Sequence, residues 1–581
     1  MNLHNRKKVL RVFKILSVVF LYLLTTLWYK QVAQHNRFSS LAQKNYLRSY
    51  PIEPLRGCIL DRMGIPLVQN RFTFRAIYIP NSTPGRISLE TMQKCLNGFI
   101  DKNTHKKILR RKSCTIKNHL TTKELACLKK HQHVKLGIHI ERGILRHYPL
   151  GAMSKRILGQ AGCLSLNDLS NTKLLTRYIQ HPMTLVGQSG CESEYESQLS
   201  GVYGEHITKV DAYGNFIEEI ATRQPQKGDD LITTLNAPLQ SYVEGLIRKA
   251  RAAHAVVIHI PTGQILAMAS HDDHDSNPLG ALNKIIAGRF PPGSIFKIVT
   301  ALCALEHGLE GFTASCDGLH KIGNHEFQCW RKSGHGAVNL EQALYKSCNV
   351  FFYQIALKLG ANKILKTAKK LGLMDVTAID LPSELSGQLP LHSPTTFKPN
   401  KPWYGADTAM LGIGQGRIIV TPIQMLQMLA SLLRGYTIPP RLNLTAPPPK
   451  KTPLHTIKPS HRKTLMRALH HCVNHPHATG YHHSHYLKNK WALAGKTSTA
   501  QIRKLQKGVR QADLPWELRS HSMFIGFAPS DTPIIAIAVI GEHEMWGGGF
   551  ATYIATRIAG YAYSLHQSQQ LLKTIVSPSH D

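Results

Sequence analysis

Ser294 and Lys297 stand three residues apart in Arg289-Phe-Pro-Pro-Gly-Ser-Ile-Phe-Lys297. A serine hydroxyl at a helix start faces free backbone N–H groups and the positive end of the dipole, both of which favour developing negative charge. A lysine one turn on shares that face and can take the hydroxyl proton, provided burial and neighbouring cations keep it neutral. The Ser-x-x-Lys spacing also occurs at Ser170/Lys173 and Ser460/Lys463, so spacing alone does not choose among them. An N-capping serine with a solvated lysine is the ordinary alternative. The middle copy is set apart by its Pro-Pro-Gly entrance and by Ile295, Ile298, Val299, Leu302 and Leu305, which recur at helical spacing up to Gly308.

Two further groups fit the same chemistry. Ser347-Cys348-Asn349 follows the helical stretch Leu340–Lys346; its Ser/Asn pair can relay a proton to a leaving amine and orient a substrate amide. Lys496-Thr497-Ser498-Thr499-Ala500-Gln501 is strand-like. There Lys496 offers a fixed positive charge, Thr497 a hydroxyl for a substrate carboxylate, and an edge-strand N–H a contribution to an oxyanion hole.

Cys316, Cys329, His335 and Cys348 follow C-x12-C-x5-H-x12-C. Three thiolates and an imidazole suit a closed structural zinc site. The alternatives are a Cys316–Cys329 disulfide and a small buried Cys348. The remaining thiols, out of 11, read as ordinary buried residues, and His482, His483 and His485 as a polar loop. Trp403 and Tyr404 fit either a substrate cleft or a core.

These groups need a scaffold. Ala255–Ile260 and Gln264–Ala269 flank a Pro-Thr-Gly turn, and Ser522–Ala528 and Ile534–Ile540 flank a second turn near the C-terminus. Both read as hairpins. With helical stretches between them, they predict one sheet completed by the two chain ends and covered by helices. Asp230–Leu235 is strand-like, Ala237–Arg251 an amphipathic helix, and Arg75–Pro80 a strand stopped by its proline. The polar cluster at Pro225–Asp229 marks a boundary.

Ser-x-x-Lys, Ser-x-Asn and a near Lys-Thr-Gly, in that order and separated by about 50 and then about 150 residues, resemble the motifs of penicillin-binding proteins and serine β-lactamases. Arg56-Gly-Cys-Ile-Leu-Asp-Arg62, Gly187-Gln-Ser-Gly-Cys-Glu192, Gly334-His-Gly336, Ile413-Gly-Gln-Gly416, Val420-Thr-Pro422 and Phe524–Pro529 extend the resemblance from about residue 50 to 545. They are similar to class B penicillin-binding proteins of the elongation type more than to the division type.

The resemblance implies an α+β, multi-domain chain. Residues 1–30 are a cytoplasmic tail and transmembrane anchor, 31–226 a mixed α/β non-catalytic pedestal, and 227–581 a penicillin-binding transpeptidase domain with an antiparallel sheet and helical subdomain. It implies that Ser294 is the nucleophile of a D,D-transpeptidase acting on peptidoglycan stem peptides. Lys297, Ser347, Asn349, Lys496 and Thr497 assist, the N–H groups of Ser294 and Thr499 form the oxyanion hole, and β-lactams acylate the same serine. Some elongation-type relatives carry zinc at positions corresponding to Cys316, Cys329, His335 and Cys348. The implied partner is a polytopic membrane glycosyltransferase. Where the family has glycine this chain has Ser498, which puts rate and β-lactam susceptibility in question. Water-resolved relatives (a D,D-carboxypeptidase or β-lactamase) and a catalytically weak scaffold that activates the glycosyltransferase are the other readings.

The N-terminus supports that placement. Arg6, Lys7, Lys8, Arg11 and Lys14 precede an apolar run from Ile15 to Trp28. The run is shorter than the ~20 residues of a spanning helix, but Val9, Leu10, Val12 and Phe13 lengthen it if Arg11 and Lys14 snorkel. No clear small-x-small cleavage site follows, so an uncleaved single-pass anchor of the bacterial inner membrane is expected, with the remainder on the periplasmic side. The net charge of +36 favours an anionic partner. Outside the cytoplasm that partner is not nucleic acid.

Overall fold

The structure, a computed structural model, describes residues 3–78, 89–97, 100, 102–109, 114–117, 119–130, 138–151, 154–163, 185–211, 216–273, 282–390, 403–455, 457–487, 490–502 and 509–576. The chain forms two compact units. The smaller comprises Met1–Gly57, Leu164–Thr184 and Ser200–Asp229; the larger comprises Cys58–Cys163, Leu185–Leu199 and Asp230–Asp581.

In the smaller unit, the helix Leu3–Trp28 runs into a π-helical turn, Tyr29–Ala33. The stretch Lys8–Ala33 is exposed and is long and apolar enough to cross a membrane. Ser17, Thr25 and Thr26 keep their hydroxyls satisfied by bonding carbonyls one turn back, so they do not spoil the apolar surface. Beyond it, Leu47–Ile52, Gly204–Val210 and Phe216–Arg223 make a three-stranded antiparallel sheet.

In the larger unit, the strand Pro66–Tyr78 pairs with Ile138–His147 and Cys114–Lys117, and its start pairs with Ile59–Leu60. Two of the family-like stretches are structural here. The buried Asp61 carboxylate accepts from the N–H groups of Met63 (2.7 Å), Ile65 (2.8 Å) and Ala237 (3.1 Å). Glu192, fully buried, accepts from Arg146 Nε at 2.8 Å. Segments 58–163 and 185–199, read from sequence as pedestal, pack in the same compact unit as residues 230–581. One long-range tie is Tyr195, whose hydroxyl donates to Asp380 at 2.6 Å. Cys95 and Cys127, read from sequence as ordinary buried thiols, instead form a disulfide between the helices Leu89–Cys95 and Thr122–Lys130.

The sheet that positions the sequence-predicted site residues is built on β1 (Ala252–His259), β2 (Ile265–Asp272), β3 (Ala494–Ala500), β4 (His521–Ala528) and β5 (Ile535–Gly541). The order is β2–β1–β5–β4–β3, with every neighbour antiparallel. Both predicted hairpins form, and strands from both chain ends complete one sheet. The sheet is covered on both faces, which is why its strands read as continuous apolar runs and not as alternation. Val257, Phe524, Ile537 and Val539 pack with α1 (Ala237–Ile247) and the long C-terminal helix Phe550–Val576. Val256, Ile258, Met523 and Ile525 face the opposite core. That core holds α2 (Lys297–Glu306), α3 (Leu340–Tyr345), α4 (Asn349–Leu359) and α5 (Pro459–Asn474). The helix Phe550–Val576 was not anticipated from sequence. Asp230–Leu235 shortens to a two-residue strand, Leu231–Ile232.

Candidate active site

Ser294 sits in a single 3-10 turn, Gly293–Phe296, that leads into α2. α2 is buried from Lys297 to Leu305 and, apart from Lys297 and Thr300, apolar over that length, so the turn is anchored mainly by packing. Its entrance is fixed by reciprocal 2.9 Å bonds between Phe290 and Val420 and by a 2.9 Å bond from Gly293 N to Gly414 O. Gly414 has φ +70°, and a Cβ there would collide with the Gly293 carbonyl. The Gly-Gln-Gly and Val-Thr-Pro stretches therefore serve to back the serine turn.

Ser347 lies between α3 and α4 with φ +53°, in the left-handed region a non-glycine residue rarely adopts. That backbone brings its hydroxyl to 3.2 Å from Ser294 Oγ. Lys297 Nζ lies within hydrogen-bond distance of Asn349 Oδ1 (2.7 Å), the Ser347 carbonyl (2.9 Å) and Ser347 Oγ (3.2 Å). Lys496 Nζ, from β3, reaches Ser347 Oγ at 3.0 Å and the Thr497 carbonyl at 3.1 Å. Both lysines are completely buried, and among the described residues no carboxylate pairs with either. Burial, reinforced by the charge of Lys496, lowers the Lys297 pKa to about 7; burial also lowers that of Lys496. Six of the sequence-predicted residues, Ser294, Lys297, Ser347, Asn349, Lys496 and Thr497, are thus connected by hydrogen bonds or adjacent on one strand.

β3 is the edge strand of the sheet, so its outer edge is free to face the serine turn. The backbone of Thr499 lies against Gly293: a Cβ on that glycine would approach the Thr499 carbonyl to 3.4 Å. Thr497 Oγ1 shares a 2.6 Å hydrogen bond with Thr479 Oγ1. Sequence reasoning missed Thr479, because it sits in a polar loop with no motif. The Ser498 hydroxyl is turned inward and donates to the Pro292 carbonyl. Ser460 and Lys463 are both exposed on α5, and Ser170/Lys173 lies outside the described residues.

Cys316, Cys329, His335 and Cys348 converge, their donor atoms all lying within 4.8 Å of one another. His335 Nδ1 is 3.6 Å from Cys316 Sγ and 3.5 Å from Cys329 Sγ, and all three cysteines are free thiols. The Asn349 N–H donates to Cys329 Sγ at 3.4 Å. Cys329 is pulled down by a hydrogen bond from Cys348, which is itself pushed up. A tetrahedral ion at ~2.3 Å from each sulfur sets sulfurs roughly 3.8 Å apart, so this set of three sulfur donors and one nitrogen donor fits zinc. The histidines His482, His483 and His485 lie on the 3-10 segment Tyr481–Leu487, two of them against Trp546 and Tyr553. Trp403 packs on the core and donates to Thr408, while Tyr404 is exposed.

An edge strand with Lys-Thr, a buried Ser-x-x-Lys turn and a Ser-x-Asn corner around one hydroxyl define a serine acyl-transfer enzyme of the penicillin-recognising class. The chain belongs to the penicillin-binding protein transpeptidase family: the family model described as "Penicillin binding protein transpeptidase domain" matches residues 253–560. A second, "Penicillin-binding Protein dimerisation domain", matches residues 51–233. The peptidoglycan D,D-transpeptidase MrdA of Salmonella typhimurium (strain SL1344) is 30% identical over 607 residues, covering 96% of each chain. The MrdA of Escherichia coli (strain K12) is 28% identical over 91% of this chain and 90% of the relative. Among solved structures, a complex between penicillin-binding protein PBP2 and MreC from Helicobacter pylori superposes with a TM-score of 0.73 at 25% identity, over 90% of this chain and 100% of that one. Pseudomonas aeruginosa PBP2 gives a TM-score of 0.65 at 24% identity over 88% and 96%.

Proposed function

We propose that this chain is the elongation-type peptidoglycan D,D-transpeptidase of its cell, anchored in the inner membrane by its N-terminal helix. The observation that carries this reading is the Ser347 hydroxyl, held between Ser294 Oγ and the two buried lysines. Neutral Lys297 has two N–H bonds and three neighbours. The Ser347 carbonyl and Asn349 Oδ1 can only accept, so the lone pair must face the one neighbour able to donate, the Ser347 hydroxyl.

As Ser294 Oγ bonds to the penultimate D-Ala carbonyl, its proton passes to Ser347 while the Ser347 proton passes to Lys297. The oxyanion forms against the N–H groups of Ser294 and Thr499. The peptide bond to the terminal D-Ala breaks as the same relay returns a proton to the leaving amine. An amine of a second stem peptide then attacks the ester, yields a proton along the relay and frees Ser294. Lys496 holds positive charge beside the site, and Thr497, oriented by Thr479, takes the substrate carboxylate. A β-lactam acylates Ser294 by the same first step.

Cys316, Cys329, His335 and Cys348 would hold zinc, which supplies a structural tie and no chemistry. Because Cys348 lies between Ser347 and Asn349, this tie fixes the corner that bears the relay. The basic residues before Ile15 support a cytoplasmic N-terminus, with the remainder on the periplasmic side. The partners proposed are a polytopic glycosyltransferase and an MreC-type scaffold, the latter because the Helicobacter pylori relative was solved with MreC.

Labelling with a fluorescent penicillin, followed by peptide mapping, tests the reading. Label on Ser294 that disappears in Ser294→Ala, with cross-linked product from stem peptides, is expected. A folded wild type that takes no label and turns over no stem peptide would sink it.

A further inference from the structure

Ser498 occupies the position where the Lys-Thr-Gly motif has glycine, and its side chain is only 2% exposed. Its Oγ–H donates to the Pro292 carbonyl at 2.9 Å. That carbonyl is the N-cap acceptor of the turn bearing Ser294 and already takes the Ile295 N–H at 3.3 Å. With Ser498 added, both of its lone pairs are used.

The fit around the side chain is close on both sides. Gly293 has φ +53°, and a Cβ there would collide with Ser498 Oγ. On the far side of β3, a Cβ at Gly547 would collide with the Ser498 backbone, while Gly547 N donates to Thr499 Oγ1 at 3.1 Å. The strand is therefore held between two glycines, and the room that a strand glycine would leave is occupied by a hydrogen-bonding group.

We propose that Ser498 is a positioning residue for acyl transfer: its hydroxyl latches the Pro292–Ser294 turn to β3, fixing the spacing between the Ser294 and Thr499 N–H groups. Ser498 touches no reacting atom; it acts through Pro292. The inference rests on the reading of Ser294 as nucleophile.

The test is stopped-flow acylation by a fluorescent penicillin with wild type, Ser498→Ala and Ser498→Gly, resolving the pre-acylation Kd from the first-order acylation constant. With the spacing of the two N–H groups no longer held, Ser498→Ala should acylate about three- to tenfold more slowly, with Kd unchanged and Tm lowered by no more than a few degrees through the lost bond. Ser498→Gly should fall between alanine and wild type, because the vacated space admits a water that can donate to Pro292. A side chain that only fills space predicts the reverse order. Acylation of the alanine variant at the wild-type rate, or a change in Kd alone, would overturn the latch. Should the alanine variant fail to fold, Ser498→Cys, which fills the same space with a far weaker donor, carries the test: a slower constant supports the latch and an unchanged one overturns it. A wild type that is not acylated at all removes the Ser294 reading, and the inference with it.

Discussion

Two buried polar clusters lie in the larger unit, and they treat their lysines in opposite ways. Around Ser294, Lys297 and Lys496 are enclosed with neutral oxygens and, for Lys297, the Phe352 ring for partners, and burial drives both pKa values down. Beside β2, Lys284 bonds Asp272 at 2.7 Å and Glu542 at 2.6 Å. Burial pulls its pKa down too, but the two carboxylates more than offset that and raise it. His254, kept neutral by burial, donates from Nε2 to Glu542 at 2.6 Å and accepts at Nδ1 from Ser270 at 2.9 Å. Charge matched by charge gives a clamp joining β1, β2 and the chain after β5. Charge left unmatched gives a base at neutral pH, at a cost in stability.

The largest effect is expected from Lys297→Met. Acylation should fall by about 10²- to 10⁴-fold, while Tm holds or rises by a few degrees as an unmatched charge leaves the core. Lys297→Arg should not restore the rate, since a guanidinium stays protonated. A Tm that collapses in Lys297→Met would mean that the lysine is structural.

Glu542→Gln should do the converse. Removing one partner of a buried pair costs about 3 kcal/mol of stability, seen as a lower denaturation midpoint, with a far smaller effect on acylation than Lys297→Met. Its pH dependence follows from the same contacts. Burial tends to raise the Glu542 pKa, but His254 and Lys284 outweigh it and hold it at about 2. A depressed carboxylate contributes stability that is complete above the usual pKa and lost as pH falls through the folded one. Acid melts should therefore show the wild type losing its advantage over Glu542→Gln between about pH 4.5 and 2. A constant difference across that range would contradict the clamp.

The smallest effect expected is that of Thr479→Val, about two- to fivefold on acylation with little change in Tm. It leaves Thr497 in place but removes the bond that orients its hydroxyl. Acylation at the wild-type rate would show that Thr497 is aligned by β3 alone.

Much of the serine cluster was legible in the sequence because its chemistry is written in short runs. Ser-x-x-Lys lies within one turn, Ser-x-Asn spans a corner, and Lys-Thr precedes a hairpin whose strands are almost wholly apolar. The clamp was not legible. His254, Ser270, Lys284 and Glu542 carry no local spacing, and His254 and Glu542 are 288 residues apart. The Cys95–Cys127 bridge was missed for the same reason, since an odd number of scattered cysteines does not reveal a pairing. The left-handed φ of Ser347 had no sequence signal either, for a serine there looks like any other helix-terminal residue. Ser498 was visible as a departure from the motif, but its bond to Pro292, 206 residues away, needed the fold.

Unmatched burial makes Lys297 a base near neutrality. This is tested most directly by the pH dependence of the second-order acylation constant between about pH 5.5 and 9.5, because only the neutral amine accepts a proton. The neutral fraction grows as pH rises through the folded pKa, so the constant should climb and level off with an apparent pKa of about 7. A constant still rising steeply beyond about pH 9 would mean that Lys297 titrates like an exposed lysine, and the account of its burial would be wrong.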